Sequence, residues 1–101
     1  MKYMNYVYAV NLNTGLVTDI AKDTKTMNKR ISLRKEPYPE GTVFVRSARM
    51  SPLVSLQTDE QIGRDFVQGL FVSATIAGVD ARTAYKRAVD AGFVKEVPFH
   101  N

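Results

Sequence analysis

Residues 3 to 11 follow a two-residue period, with Met4, Tyr6, Tyr8 and Val10 on one face and Tyr3, Asn5, Val7 and Ala9 on the other, which predicts a β-strand. The next residues, NLNTG, end in a glycine suited to a left-handed turn position, and LVTDIA resumes a β-rich run, so the pair predicts a hairpin closed at Gly15. After a polar connector, KRISLRK alternates again. Ile31 and Leu33 fall on one face and Arg30, Ser32 and Arg34 on the other, the pattern of a half-buried strand with a cationic outer side. Pro37 and Pro39 in EPYPEG cannot donate to a ladder and force a turn before TVFVRS, the last predicted strand of this half.

Beyond SPLVSLQ the period lengthens. Thr58 followed by Gln61 forms a capping-box start, and Asp59 and Glu60 in the first turn complement the helix dipole, so a long helix is predicted over 59 to 77. It carries one stripe of Ile62, Phe66, Leu70, Ser73 and Ala77 and a second of Val67, Phe71 and Ala74. Gly63 and Gly69 weaken such a helix by about 1 kcal/mol each relative to alanine, but each also permits close backbone approach. Gly78 suits the position that ends the helix, and Asp80 is a natural N-cap for a second one over 81 to 91, with Ala84, Tyr85, Ala88 and Val89 inward. Gly92 stops it, and Phe93, Val94, Val97 and Phe99 form a packed tail.

These elements predict an α+β chain in which an N-terminal antiparallel β-meander of three or four strands packs one face on a C-terminal helix pair. A length of 101 residues fits a single domain, 1–101, with a β-rich half at 1–50, a helical half at 58–92 and a tail at 93–101. No apolar run approaches membrane-spanning length, and the first residues lack a signal-peptide pattern. With no cysteine in the chain, disulfides and thiolate metal sites are excluded, and a cytoplasmic setting is expected.

Charge sharpens the picture. The net charge is +4, and the segment from Lys22 to Lys35 concentrates Lys22, Lys25, Lys29, Arg30, Arg34 and Lys35 against the single acid Asp23. Such a field attracts nucleic-acid phosphates or an acidic protein surface, and the same composition also serves as a solvated face that guards a sheet edge. A second basic group, Arg82, Thr83, Lys86 and Arg87, lies on the predicted 81 to 91 helix.

The stretch AGVDARTAYKRA resembles the turn and second helix of the helix-turn-helix in small phage regulators and terminase small subunits. Ala74, Gly78, Val79 and Ala84 match its structural positions, and the likeness is confined to residues 74–92. The resemblance implies DNA binding, with Arg82, Thr83 and Lys86 facing the major groove. An independent expectation places Tyr3, Phe44, Arg30, Arg34 and Arg46 on an outer sheet face where rings stack bases. Tyrosines and arginines in such a position also mark protein interfaces.

Catalytic parts are few. The single histidine is His100, and with no cysteine the common nucleophile and base pairs and zinc sites lack their components. Asp59, Glu60 and Asp65 are better explained by the helix start than as a carboxylate cluster, and no glycine-rich phosphate loop follows a strand. The expectation is a small basic regulatory protein, not an enzyme, without cofactor or metal, that binds nucleic acid through the 22 to 35 segment and the 81 to 91 helix. The alternative is a protein-binding inhibitor or adaptor, a phage-type accessory protein docking on a host nucleic-acid-handling complex. Because a two-layer domain covers only one helix stripe, a homodimer is also expected, its interface formed by Ile62, Phe66, Val67, Leu70 and Phe71.

Overall fold

The computed structural model describes residues 2–49 and 56–99; His100 and most of SPLVSLQ lie outside the described residues. The elements in chain order are β1 (Tyr3–Asn11), β2 (Leu16–Ala21), α1 (Thr24–Leu33), β3 (Thr42–Ala48), α2 (Asp59–Ile76), α3 (Ala81–Asp90) and β4 (Val94–Glu96). They form an α+β fold around one antiparallel sheet of order β2-β1-β3-β4. The hairpin closes at Gly15, and the tail joins the sheet as β4 against β3.

Helices cover both faces of the sheet. On one face Tyr8, Val10 and Val45 pack under Val67 and Phe71 of α2 and Ala84 and Ala88 of α3. On the other, Val7 and Ala9 pack with Met27 of α1 and, around them, Ile31, Tyr38, Phe44 and Phe99. Val7, Tyr8, Ala9 and Val10 are all fully buried, the condition of a central strand enclosed on both sides.

The strand expected at KRISLRK is instead the last turn of α1 and the residues after it. Asp23 caps this helix by accepting the Thr26 N–H at 2.7 Å, and Met27 and Ile31, four residues apart, supply its inward face. Leu33, expected beside Ile31 on a strand face, is 71% exposed. The alternation was a three-residue coincidence overridden by the cap upstream and by the apolar sheet face that needed a cover.

Much of both α2 stripes is occupied within the chain, which corrects the expected dimer interface at Ile62, Val67 and Phe71, while Ser73 and Ala77 at the end of the first stripe stay exposed. Val67 and Phe71 are buried in the core against the sheet, Ile62 is buried as well, Leu70 packs on the same core, and Phe66 meets Phe93 edge-on at 6.0 Å. No partner can reach Val67 or Phe71 without unfolding the helix from the sheet.

The capping box at Thr58 and Gln61 forms in both directions, and the Asp80 carboxylate accepts the Thr83 N–H at 2.7 Å. Gly78, at φ +78°, closes α2: its N–H donates to the Thr75 carbonyl and that of Val79 to Ala74, the Schellman arrangement that a side chain at this position would strain. Hydrogen bonding to Thr26 holds the Asp23 carboxyl below its ordinary 3.8, and hydrogen bonding to Thr83 does the same for Asp80. A carboxylate with a lowered folded pKa stabilises fully above its unfolded value and loses that contribution as pH falls through the folded one. The urea midpoint of the native chain is therefore expected to exceed that of an Asp23→Ala, Asp80→Ala variant near neutrality, with the gap narrowing below pH 3.8. A gap independent of pH in that window would contradict a charged cap.

Candidate nucleic-acid interface

With α1 helical, the basic segment becomes the outer surface of one element. Met27 and Ile31 point to the sheet, so Lys25 and Lys29, one turn apart, share the opposite side, with Lys22 just before the cap and Arg34 and Lys35 just after the helix. All five cations are exposed. Arg30 differs. Its guanidinium donates to Asp19 Oδ1 at 2.7 Å and to the Ile20 carbonyl at 2.8 Å, tying α1 to the outer edge of β2. The two side chains are 41% and 25% exposed, so the pair fixes orientation more than it stabilises.

Asp19 is shared with Tyr38, whose hydroxyl donates to Oδ2 at 2.6 Å. Burial raises the Tyr38 hydroxyl above its ordinary value of 10.0, the Asp19 hydrogen bond adds to the rise, and Arg34 opposes it. The phenol therefore stays neutral and remains a donor. Arg34 lies over the Tyr38 ring at 3.8 Å from its centroid, a cation–π contact that holds the guanidinium plane in place. Beside this stack is a concavity of about 310 Å³ lined by Asn28, Ile31, Ser32, Arg34, Lys35 and Tyr38, together with Pro37. It combines an apolar floor, a ring with a stacked guanidinium, and cations at its rim.

Asn28, Ser32 and Tyr38 were not legible as site residues. A helical period over 24 to 33 sets Asn28, Ser32 and Lys35 on one stripe, whereas the alternation of KRISLRK, residues 29 to 35, points to a strand after a polar connector. Tyr38 stood between two prolines and signalled only a turn.

The second basic group is arranged as expected on its own helix. Ala84 and Ala88 of α3 are buried, and Arg82, Thr83, Lys86 and Arg87 all face outward. Arg82 is partly engaged, donating to Asn13 Oδ1 at 3.1 Å, while Asn13 donates to the Glu40 carbonyl. The structure does not unite the two groups: α1 covers the Val7 and Ala9 face of the sheet, and α3 covers the Tyr8 and Val10 face. A straight duplex lying on one cannot touch the other.

The expected outer sheet face of Tyr3, Phe44, Arg30, Arg34 and Arg46 is not formed, because α1 occupies that side. Phe44 is packed edge-on between Tyr38 and Phe99, at 5.2 and 5.0 Å. Arg46 donates to the Met4 carbonyl at 2.7 Å and to that of Tyr3, pinning the irregular start of β1. The Tyr3 hydroxyl donates to the Gly92 carbonyl at 3.1 Å. These side chains satisfy backbone groups and leave no stacking platform.

Among the described residues no three metal-ligating side chains come together, and no helix is long and apolar enough to cross a membrane. No family model, no curated protein and no solved structure matches this chain.

Proposed function

We propose that this chain is a small non-enzymatic regulatory protein that binds nucleic acid along the outer side of α1. The observation that carries the reading is that Lys22, Lys25, Lys29, Arg34 and Lys35 are all exposed along α1 and its two ends, the last two of them lining the concavity beside Tyr38. Among the described residues the ion pair is that of Arg30 with Asp19, so these five cations keep their charge available to phosphates. Counterion release from a phosphate chain drives such contact without base specificity. The guanidinium stacked on Tyr38, the Asn28 amide and the Ser32 hydroxyl oxygen, which donates to the Lys29 carbonyl and can accept, suit an unstacked base entering the concavity, which favours single-stranded or frayed segments.

The outward face of α3 is a second, separate basic surface, and the helix-turn-helix resemblance would make it the reading element. Equilibrium binding of labelled mixed-sequence DNA and RNA separates the two. Arg82→Ala with Lys86→Ala is expected to leave affinity within roughly twofold and stability within about 0.5 kcal/mol, since both side chains are exposed. Loss of binding in that variant would assign recognition to α3. No retention of DNA or RNA at low salt would leave the alternative, an inhibitor or adaptor that docks on an acidic protein surface.

A further inference from the structure

The outward side of α2 presents apolar surface that nothing in the described chain covers. Ile76 is 83% exposed, Val72 47% and Phe93 44%, and between α2 and α3 an open groove of about 350 Å³ is lined by Leu70, Ser73, Ala77, Ala84 and Phe93 with Arg87 at its rim. Asp65, Gly69, Val72 and Ile76 succeed one another at helical spacing along this side, and all but Gly69 are exposed. Gly69 meets open space: a side chain built there would find nothing within 4 Å, so another backbone can approach closely. A large side chain in the groove would cover alanine surface that now faces water.

Charge indicates what fits. The first half of α2 is acidic, with Asp59, Glu60 and Asp65 against Arg64, which is turned toward the β2 edge beside Asp19. The last turn of α2 carries no basic residue of its own, but α3 sets Arg87 beside it. We propose that this face binds the same face of a second copy of the chain, with the two α2 helices antiparallel about a two-fold axis near Gly69.

In that register Asp65 of each copy faces Ser73 of the other, next to Arg87 in the shared groove, so two acid–base contacts form symmetrically. Phe66 of one copy, partly exposed, lies against Val72 of the other, and opposed helix dipoles add to the match. A two-fold contact requires such self-complementarity, and an 18-residue helix of about 27 Å is long enough to supply it. This is not the interface of Ile62, Val67 and Phe71, which are internal. It is independent of the nucleic-acid reading, since α1 lies on the far side of the sheet and stays uncovered in both copies.

Sedimentation equilibrium of the full chain over roughly a hundredfold dilution, at low salt, tests it. The native chain is expected to pass from monomer to dimer mass with rising concentration. Asp65→Arg and Arg87→Asp should each weaken association by roughly tenfold or more, because each sets like charges together, with unchanged circular dichroism as both positions are exposed. An equimolar mixture of the two variants should recover native association, since in the mixed pair each altered charge meets its opposite. A constant monomer mass for the native chain, variants that associate as tightly as it does, or a mixture no stronger than its components would overturn the proposal.

Discussion

Gly63→Ala is expected to lower stability by about 1–3 kcal/mol, whereas Gly69→Ala on the same helix should raise it by up to about 1 kcal/mol. Intrinsic helix propensity favours alanine equally at both positions, so the difference in sign comes from packing alone. At Gly63 α2 crosses the centre of the sheet. An added Cβ would overlap the Tyr8 hydroxyl and come within 2.8 Å of the Met4 methyl and of the Tyr8 ring carbon that bears the hydroxyl. Tyr8 cannot swing aside, because it is fully buried and its hydroxyl donates to the Glu60 carbonyl at 2.8 Å. Burial, with Glu60 nearby, holds that hydroxyl well above its ordinary pKa, so it donates across the working pH range. Adding Tyr8→Phe to the Gly63 variant should return part of the loss by removing the overlapping oxygen. Urea denaturation of the variants measures this, and equal effects at Gly63 and Gly69 would contradict the described crossing of α2 over β1.

Reversing charge at Lys25 and Lys29 to glutamate is expected to weaken nucleic-acid binding by roughly a hundredfold at moderate salt, with the melting temperature nearly unchanged. Both side chains point away from the sheet, and neither forms an ion pair among the described residues. On the proposed reading the substitutions would replace two attractive phosphate contacts with two repulsive ones. Arg30→Ala should behave differently: a modest loss of stability, about 0.5–1 kcal/mol for a partly exposed pair, and a smaller effect on binding, because its charge is already engaged by Asp19. Isothermal titration with a short mixed-sequence oligonucleotide distinguishes the two. Unaltered affinity in the Lys25 and Lys29 variant would remove α1 from the interface.

Much of the fold was legible because it is written in local chemistry. Thr58 with Gln61, Asp80, Gly78 and Gly92 mark helix ends through hydrogen bonds made within a few residues, and α3 was placed to within one residue. The misreading at α1 has a physical cause. Ile31 and Leu33 imitate a strand over three residues, while the helical pair of Met27 and Ile31 is short and set among polar side chains. A better signal lay elsewhere: the unbroken apolar run from Tyr6 to Val10 belongs to a strand enclosed on both faces, so a second cover had to come from the residues before β3. The same oversight put Val67 and Phe71 in a dimer interface, since the sheet and the turn back through α3 supply cover that helix periodicity does not record.

The candidate site was legible as composition, not as arrangement. Lysines free in solvent leave no periodic trace, so whether Lys25 and Lys29 share a surface with Lys86 depends on which sheet face each helix takes. The sheet separates them. The joining of Tyr38, Asp19 and the two arginines depends on contacts across the turn at Pro37 and back to β2, which no local spacing encodes.

The most direct test of the central claim is the salt dependence of nucleic-acid binding by the native chain. With four to five phosphates neutralised by the α1 cations, log K should fall against log salt with a slope of about −3 to −4, a loss of roughly a hundredfold between 50 and 200 mM. The Lys25 and Lys29 variant should show a slope shallower by about two. A native chain with no affinity for DNA or RNA at the lowest salt, or a slope that these substitutions leave unchanged, would contradict it.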